Sequence, residues 1–134
     1  MSESRLFQRL KRATPGFHWQ RHEDKLTSGI PDCDFGACGV GGWVELKTYD
    51  SWPRNESEPL KWSDLKPTQV NWCIKRHKVN PRVWFLVQVK NDWFLIRGCH
   101  ARKFGKLTKD ELLELSDIHG TNAISRKIAK VFTS

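Results

Sequence analysis

An almost uninterrupted apolar run, VWFLVQV at Val83–Val89, places the strongest constraint on what this chain can fold into. The run is short, follows Asn80-Pro81 and ends at the turn residues Lys90-Asn91-Asp92. A short apolar segment bounded in this way is typical of a central strand that is covered on both faces. The rest of the chain is therefore expected to supply neighbouring strands and helices on both sides of a sheet.

Helical and strand patterns surround this run in an order that defines the fold class. Leu6, Phe7 and Leu10 form an apolar stripe in a helix predicted over residues 3–13. Four glycines between Gly36 and Gly42 predict a hairpin turn. The other patterns predict strands at Phe17–Arg21, Ile30–Phe35, Gly42–Tyr49 and, as the last strand, Trp93–Ile96, and helices from Pro67 to Asn80, over Leu107–Leu115 and around Ile124–Phe132. This order indicates an α/β (α+β) fold in which helices flank a mixed central sheet.

Length and charge limit the classes of partner. At 134 residues the chain is expected to form one domain over residues 1–134. Its formal net charge of +8, from 23 basic and 15 acidic residues, favours a polyanion such as DNA. No segment approaches the roughly 20 apolar residues that a membrane helix needs, so no membrane partner is expected. The charged N-terminus does not resemble a secretory signal, and the four cysteines are expected to be reduced in a cytoplasm.

Charged residues flank the glycine-rich stretch: Asp32 precedes it, and the pair Glu45 and Lys47 follows it. Glu45 and Lys47 share a face if Gly42–Tyr49 is a strand, and pairing with Ile30–Phe35 would bring Asp32 to that face. Two carboxylates and the Leu46 carbonyl are hard oxygen ligands that suit Mg²⁺ or Mn²⁺. The bound ion would activate water and offset charge on a phosphate, while Lys47 would orient the water or stabilise the phosphate oxygens.

Several assignments remain open from the residues alone. Glu45 and Lys47 in isolation would be read as a surface ion pair. Asp34 alternates with Asp32 and is a rival ligand, and Glu23 is a further candidate acid. The polar connection Asp50–Asp64 carries Trp52 and Trp62, which could stack on unpaired bases or simply pack locally.

The motifs Ser28-Gly29-Ile30-Pro31-Asp32 and Trp43-Val44-Glu45-Leu46-Lys47 together resemble the signature of the PD-(D/E)XK nuclease superfamily. They are similar to the small phage or VRR-type nucleases and to archaeal-type Holliday-junction resolvases. Leu65-Lys66-Pro67-Thr68-Gln69 resembles the start of the helix that follows the catalytic hairpin in such nucleases. The resemblance implies an αβββαβ core over about residues 3–96, followed by a C-terminal helical extension over about residues 107–134.

The resemblance also implies roles for individual residues. Asp32 and Glu45 would hold the metal together with the Leu46 carbonyl, and Lys47 would position or activate the water. Gln69 would join the site from the helix, and Glu3 is the one acid of the first helix that could do so.

The function implied is metal-dependent hydrolysis of DNA phosphodiesters by an endonuclease that selects branched DNA such as a Holliday junction. The chain is too small to carry an evident base-reading domain beside a catalytic core, so recognition of shape is expected. Alternatives are a nickase or exonuclease of the same fold, or a non-catalytic nucleic-acid-binding module. A homodimer in a bacterial or phage-infected cytoplasm is expected. The residues predicted to contact DNA are Ser28, Arg5, Arg9, Arg76 and Lys103.

Overall fold

A six-stranded mixed sheet in the order β1-β2-β3-β4-β5-β6 organises the chain in the computed structural model, which describes residues 2–22, 29–62, 65–121 and 125–134. β3 and β4 run parallel, and every other neighbouring pair is antiparallel. The elements are α1 Glu3–Ala13, β1 His18–Arg21, β2 Cys33–Ala37, β3 Val40–Tyr49, α2 Pro67–Val79, β4 Val83–Val89, β5 Asp92–Arg97, a 3₁₀ helix Gly98–Lys103, α3 Lys109–Leu115, β6 Ile118–Thr121 and α4 Ser125–Thr133. The predicted mixed sheet flanked by helices is thus confirmed.

β4 occupies the position that its apolar sequence predicts. All of its residues are buried, and it lies between β3 and β5. One face of the sheet packs against α1 and α4 through Leu6, Leu10 and Phe132. The other face packs against a second cluster that includes Cys73 of α2 and Leu112 of α3. β4 is therefore covered on both sides, which explains why its side chains do not alternate in polarity.

Three local predictions are wrong. The first is that Ile30–Phe35 forms a strand: β2 begins only at Cys33. The second concerns the hairpin turn, which contains only Cys38 and Gly39, because the other glycines belong to the strands. At Gly42 a Cβ atom would lie 2.6 Å from the Phe35 ring, so this glycine permits close packing rather than a turn.

The third error concerns the C-terminal part of the chain, which is not purely helical. β6 pairs with β5, so β5 is not the last strand. β6 has only 4 residues, one of them Gly120, and its pattern predicts no strand without its neighbour. Pairing with an existing strand edge stabilises a segment that is too short and too polar to be identified locally.

The long connection between β3 and α2 is anchored by its own aromatic residues. Trp62 is 6% exposed and stacks on Phe104 with ring centroids 4.3 Å apart. Local packing is therefore the correct alternative for Trp62. The Trp52 indole N–H donates to Asp92 Oδ2 at 2.8 Å, and its ring stacks on Phe94 in β5. Ser63 and Asp64, at the end of this connection, lie outside the described residues.

The described helices include none whose length and apolar character would allow it to cross a membrane.

Candidate active site

Asp32 and Glu45 are joined by hydrogen bonds at the point where β2 begins. Cys33 pairs with Val44, so Asp32 lies opposite Glu45 one step beyond the end of the strand. The Asp32 backbone N–H donates to Glu45 Oε1 at 2.9 Å, and the Leu46 backbone N–H donates to Asp32 Oδ2 at 2.9 Å. The expected proximity of these two acids is therefore present, although Asp32 precedes β2 instead of lying within it.

The main chain of Leu46 faces the same side as Asp32. The N–H and C=O groups of one residue in a strand point to the same neighbour. Because the Leu46 N–H reaches the Asp32 carboxylate, the Leu46 carbonyl is directed to the side on which β2 has ended. Two carboxylates and one carbonyl thus converge on this end of the hairpin.

Lys47 shares the sheet face of Glu45, as strand alternation predicts. Its Nζ atom lies 3.6 Å from Glu45 Oε2. The two residues are only 5% and 3% exposed, so this is not the surface ion pair that the isolated triplet suggests. Removing one partner of a buried pair leaves the other charge with less compensation, which makes each residue sensitive to substitution.

Gln69 connects α2 to Glu45. Its Oε1 accepts a hydrogen bond from the Lys66 backbone N–H at 3.0 Å, at the helix N-terminus. That bond fixes the orientation of the amide, because only the oxygen can accept. The amide nitrogen Nε2 is consequently turned to Glu45 Oε2 and donates to it at 2.9 Å. The predicted glutamine therefore reaches the acid pair.

Gly29 brings the segment before Asp32 against the first turn of α2. Its φ is +91°, and a Cβ atom there would lie 2.4 Å from the Thr68 carbonyl oxygen. Only glycine fits such a backbone conformation and such a close approach. The immediate neighbour of this glycine is therefore the backbone of α2. Ser28, the preceding residue and a predicted DNA contact, lies outside the described residues.

Cys33 lies beneath the acid pair and is fully buried. Its Sγ donates to the Val44 carbonyl oxygen at 3.3 Å. Burial raises the pKa of the Cys33 thiol far above its ordinary value, and the nearby Asp32 and Glu45 carboxylates raise it further. The thiol therefore stays protonated beside the site and is a packing residue, not a nucleophile.

Among the described residues, the other candidate acids do not join this pair in a group that could hold a metal ion. Asp34 Oδ2 lies 2.8 Å from His22 Nε2. Glu3 is the first residue of α1 and is half-buried. Within the part of the chain that the structure describes, no three His, Cys, Asp or Glu side chains are grouped to hold a metal ion. Glu23 lies outside that part, and the role of Glu3 stays a prediction.

The basic residues predicted to bind DNA lie on both layers of the fold. Arg5 and Arg9 are exposed on α1, which covers the sheet face opposite to Glu45. Lys103 is exposed at the end of the 3₁₀ helix, on the face that carries Glu45. Arg76 of α2 is half-buried, with its guanidinium 4.7 Å from the centre of the Trp72 ring.

Sequence reasoning missed the aromatic residues around Arg76. Trp43 precedes Glu45 by two residues, so strand alternation places it on the same face. Trp72 follows Gln69 by three residues, which is the spacing of helix neighbours. These two spacings could have identified both tryptophans from the sequence, because each one lies on the same face of its strand or helix as a predicted site residue.

Comparison with known proteins gives a structural match without a sequence match. No family model and no curated protein matches this sequence. The structure is similar to that of Hjc, a Holliday junction resolvase from the archaeal hyperthermophile Archaeoglobus fulgidus, with a TM-score of 0.60. The match covers 97% of each chain at 16% sequence identity. The chain therefore shares the fold of this resolvase, which agrees with the expected α+β fold in which helices flank a mixed sheet.

Proposed function

We propose that this protein is a metal-dependent DNA endonuclease that cleaves branched or otherwise distorted DNA. The observation that carries the proposal is the pair of hydrogen bonds that join Asp32 to the Glu45–Leu46 segment, with Lys47 and Gln69 both in contact with Glu45. The similarity of the fold to a Holliday junction resolvase supports a nuclease and suggests the class of DNA.

The residues at this site fit a divalent cation. Asp32 and Glu45 offer carboxylate oxygens and Leu46 offers a carbonyl, the hard donor set that Mg²⁺ takes alongside waters and substrate phosphate. When bound, the cation lowers the pKa of a coordinated water and offsets charge on the phosphate. Mn²⁺ has similar ligand preferences and is expected to substitute.

Lys47 and Gln69 have separate roles in this proposal. The Lys47 ammonium, held beside Glu45, would orient the attacking water or stabilise the oxygens of the phosphate as charge develops on them. Gln69 does not need to touch the substrate. Its amide nitrogen donates a hydrogen bond that fixes the Glu45 carboxylate. Its amide oxygen accepts the Lys66 N–H and so fixes the end of the helix from which it reaches Glu45.

DNA would be held mainly through its phosphates. Arg5, Arg9, Arg76 and Lys103 are proposed contacts, and their placement on two layers suits a substrate with more than one duplex arm. Phosphate contacts carry no base information, so selection would follow DNA shape. The resemblance extends the proposal to a cytoplasmic homodimer, whose mass light scattering would measure.

The test is a cleavage assay with purified protein, Mg²⁺ and a panel of linear duplex, single-stranded, nicked and four-way-junction DNA. We expect cleavage of the junction at a higher rate than the linear duplex, loss of cleavage with EDTA and recovery with Mn²⁺. Glu45→Gln should be inactive, whereas the matched change at an exposed acid, Glu58→Gln, should retain activity. Cleavage that persists in EDTA, or in Glu45→Gln, would contradict the proposed site. Cuts confined to one strand or to ends would favour a nickase or an exonuclease.

A further inference from the structure

Four side chains beside the acid pair form a layered group, here called the stacking cluster: His22, Trp43, Trp72 and Arg76. The Trp43 and Trp72 rings meet edge to face with centroids 5.1 Å apart. The Arg76 guanidinium lies 5.5 Å from the Trp43 ring centre and 4.7 Å from that of Trp72. The His22 ring stacks on Trp43 at 5.3 Å and is held by Asp34 at 2.8 Å.

The cluster lies next to the proposed cleavage site on the same sheet face. Trp43 and Glu45 are two residues apart on β3, which corresponds to about 7 Å along a strand. On α2, Gln69 contacts Glu45, and Trp72 and Arg76, on the following turns, contact Trp43. β3 and α2 therefore run side by side, and they touch first at Glu45 and Gln69 and next at the stacking cluster.

Partial exposure distinguishes this cluster from the aromatic core. All four side chains are half-buried, whereas Trp62 and Phe104, which also stack, are only 6% and 7% exposed. An arginine above two indoles gives a surface that is both aromatic and positive. Such surfaces hold the π-face of a nucleobase by stacking and by cation–π attraction. A phosphate alone would be bound by Arg76 without need of either tryptophan.

We infer that the stacking cluster binds an unpaired base adjacent to the cleaved phosphate. A base within a continuous duplex has both faces covered by its neighbours, so the aromatic surface would select DNA with an unpaired nucleotide at the branch point. The preferred substrates would then be flapped, gapped or bulged branches instead of fully paired junctions. This inference rests on the proposed nuclease function, because it takes Glu45 to mark the position of the phosphate.

The test uses 2-aminopurine, whose fluorescence is quenched when it stacks. Two branched DNAs are compared that differ only in whether a 2-aminopurine at the branch is unpaired or paired with thymine. Binding is measured with Mg²⁺ in the Glu45→Gln background, which prevents cleavage. We expect quenching on binding for the unpaired DNA and little change for the paired DNA. Trp72→Leu should weaken binding of the unpaired DNA by about 5- to 150-fold, the range for loss of one base–aromatic stack.

Further variants separate stacking from folding and from charge. Trp72→Phe should restore most of the affinity, since a phenyl ring still stacks. Arg76→Lys keeps the charge but loses the planar guanidinium, so it should weaken binding of the unpaired DNA and leave binding of the paired DNA unchanged. Trp52→Leu removes another half-buried indole, which packs on Phe94 of β5. This change should not alter the affinity for the unpaired or the paired DNA.

Two results would overturn the inference: an absence of quenching, or equal weakening of both DNAs by Trp72→Leu and by Arg76→Lys. If Trp72→Leu does not fold, Arg76→Lys and the quenching measurement decide alone. Failure of the nuclease proposal is distinguishable. In that case the wild-type protein cleaves no DNA with Mg²⁺, although the unpaired base is still quenched on binding. Cleavage without quenching would refute only the role of the stacking cluster.

Discussion

Replacing Gln69 by alanine should weaken both the fold and the candidate site. The side chain makes two hydrogen bonds, one from the Lys66 N–H that it accepts at 3.0 Å and one to Glu45 that it donates at 2.9 Å. The first bond is exposed and contributes about 0.5–1.5 kcal/mol, while the second goes to a charged group and contributes about 1.5–3 kcal/mol. We therefore expect Gln69→Ala to lower the free energy of unfolding by about 2–4 kcal/mol.

Thermal and urea denaturation measure this loss. For a chain of 134 residues it corresponds to a decrease in Tm of roughly 6–16 °C. Gln8→Ala, at an exposed position of α1, is the matched control and should change the free energy of unfolding by less than about 0.5 kcal/mol. Cleavage should also decrease, because Glu45 would lose the group that orients it.

Gln69→Glu distinguishes the two bonds. A glutamate at this helix position can still accept from the Lys66 N–H, but it places a second carboxylate against Glu45. The repulsion raises the pKa of the pair in the folded state, so the folded state binds more protons than the unfolded state. The stability deficit of Gln69→Glu should therefore shrink as the pH falls from 7.5 towards the ordinary glutamate pKa of about 4.3, and it should shrink more steeply than that of Gln69→Ala. The reasoning would be refuted if the stability deficit of Gln69→Glu were the same at pH 7.5 and near pH 4.3. It would also be refuted if Gln69→Ala were as stable as the wild type.

Three other predictions concern the acids, the glycine beside α2 and the basic surface. Asp32→Ala and Glu45→Ala should each abolish cleavage yet leave DNA binding largely intact in gel-shift titrations, and unchanged turnover in either would rule out its role. Gly29→Ala should cost about 2 kcal/mol or more in urea unfolding, and clearly more than Gly39→Ala, where φ is also positive but a Cβ atom meets nothing within 4 Å. Binding to duplex DNA should weaken steeply with salt, with a slope in log K against log salt of about 0.9 for each phosphate contact, and a nearly flat dependence would contradict phosphate recognition.

Much of the fold could be predicted because its strongest elements carry local signals. The apolar run of β4 requires burial on both faces, and the structure buries all of it. Thr108 and Glu111 have capping-box spacing, and their reciprocal hydrogen bonds are present at the start of α3. Alternation alone places Glu45 and Lys47 on one face of β3, so the ion pair follows from the sequence.

The remaining features depend on contacts between distant segments. β6 exists because β5 offers it an edge, which no local pattern of its four residues reveals. The start of β2 is three residues later than its apolar pattern suggests. At that point the Asp32 carboxylate accepts the Leu46 N–H, while the Asp32 carbonyl accepts the His22 N–H. The stacking cluster assembles residues from β3 and α2 with His22, which follows β1, so the pattern of any one segment is insufficient to identify it.

The same contacts explain why the acids are held so close together. Gly29 packs against Thr68 and Gln69, Gln69 donates to Glu45, and Glu45 accepts the Asp32 N–H. Asp32 lies only three residues after Gly29, so these contacts form a closed ring through β3, α2 and the segment before β2. Two neighbouring carboxylates repel each other, and these contacts offset that repulsion. The ring of contacts restrains both acids: it holds Asp32 through its backbone and Glu45 through its side chain. A cation held between them would then meet oxygens that are already positioned, as the proposed metal-dependent cleavage needs.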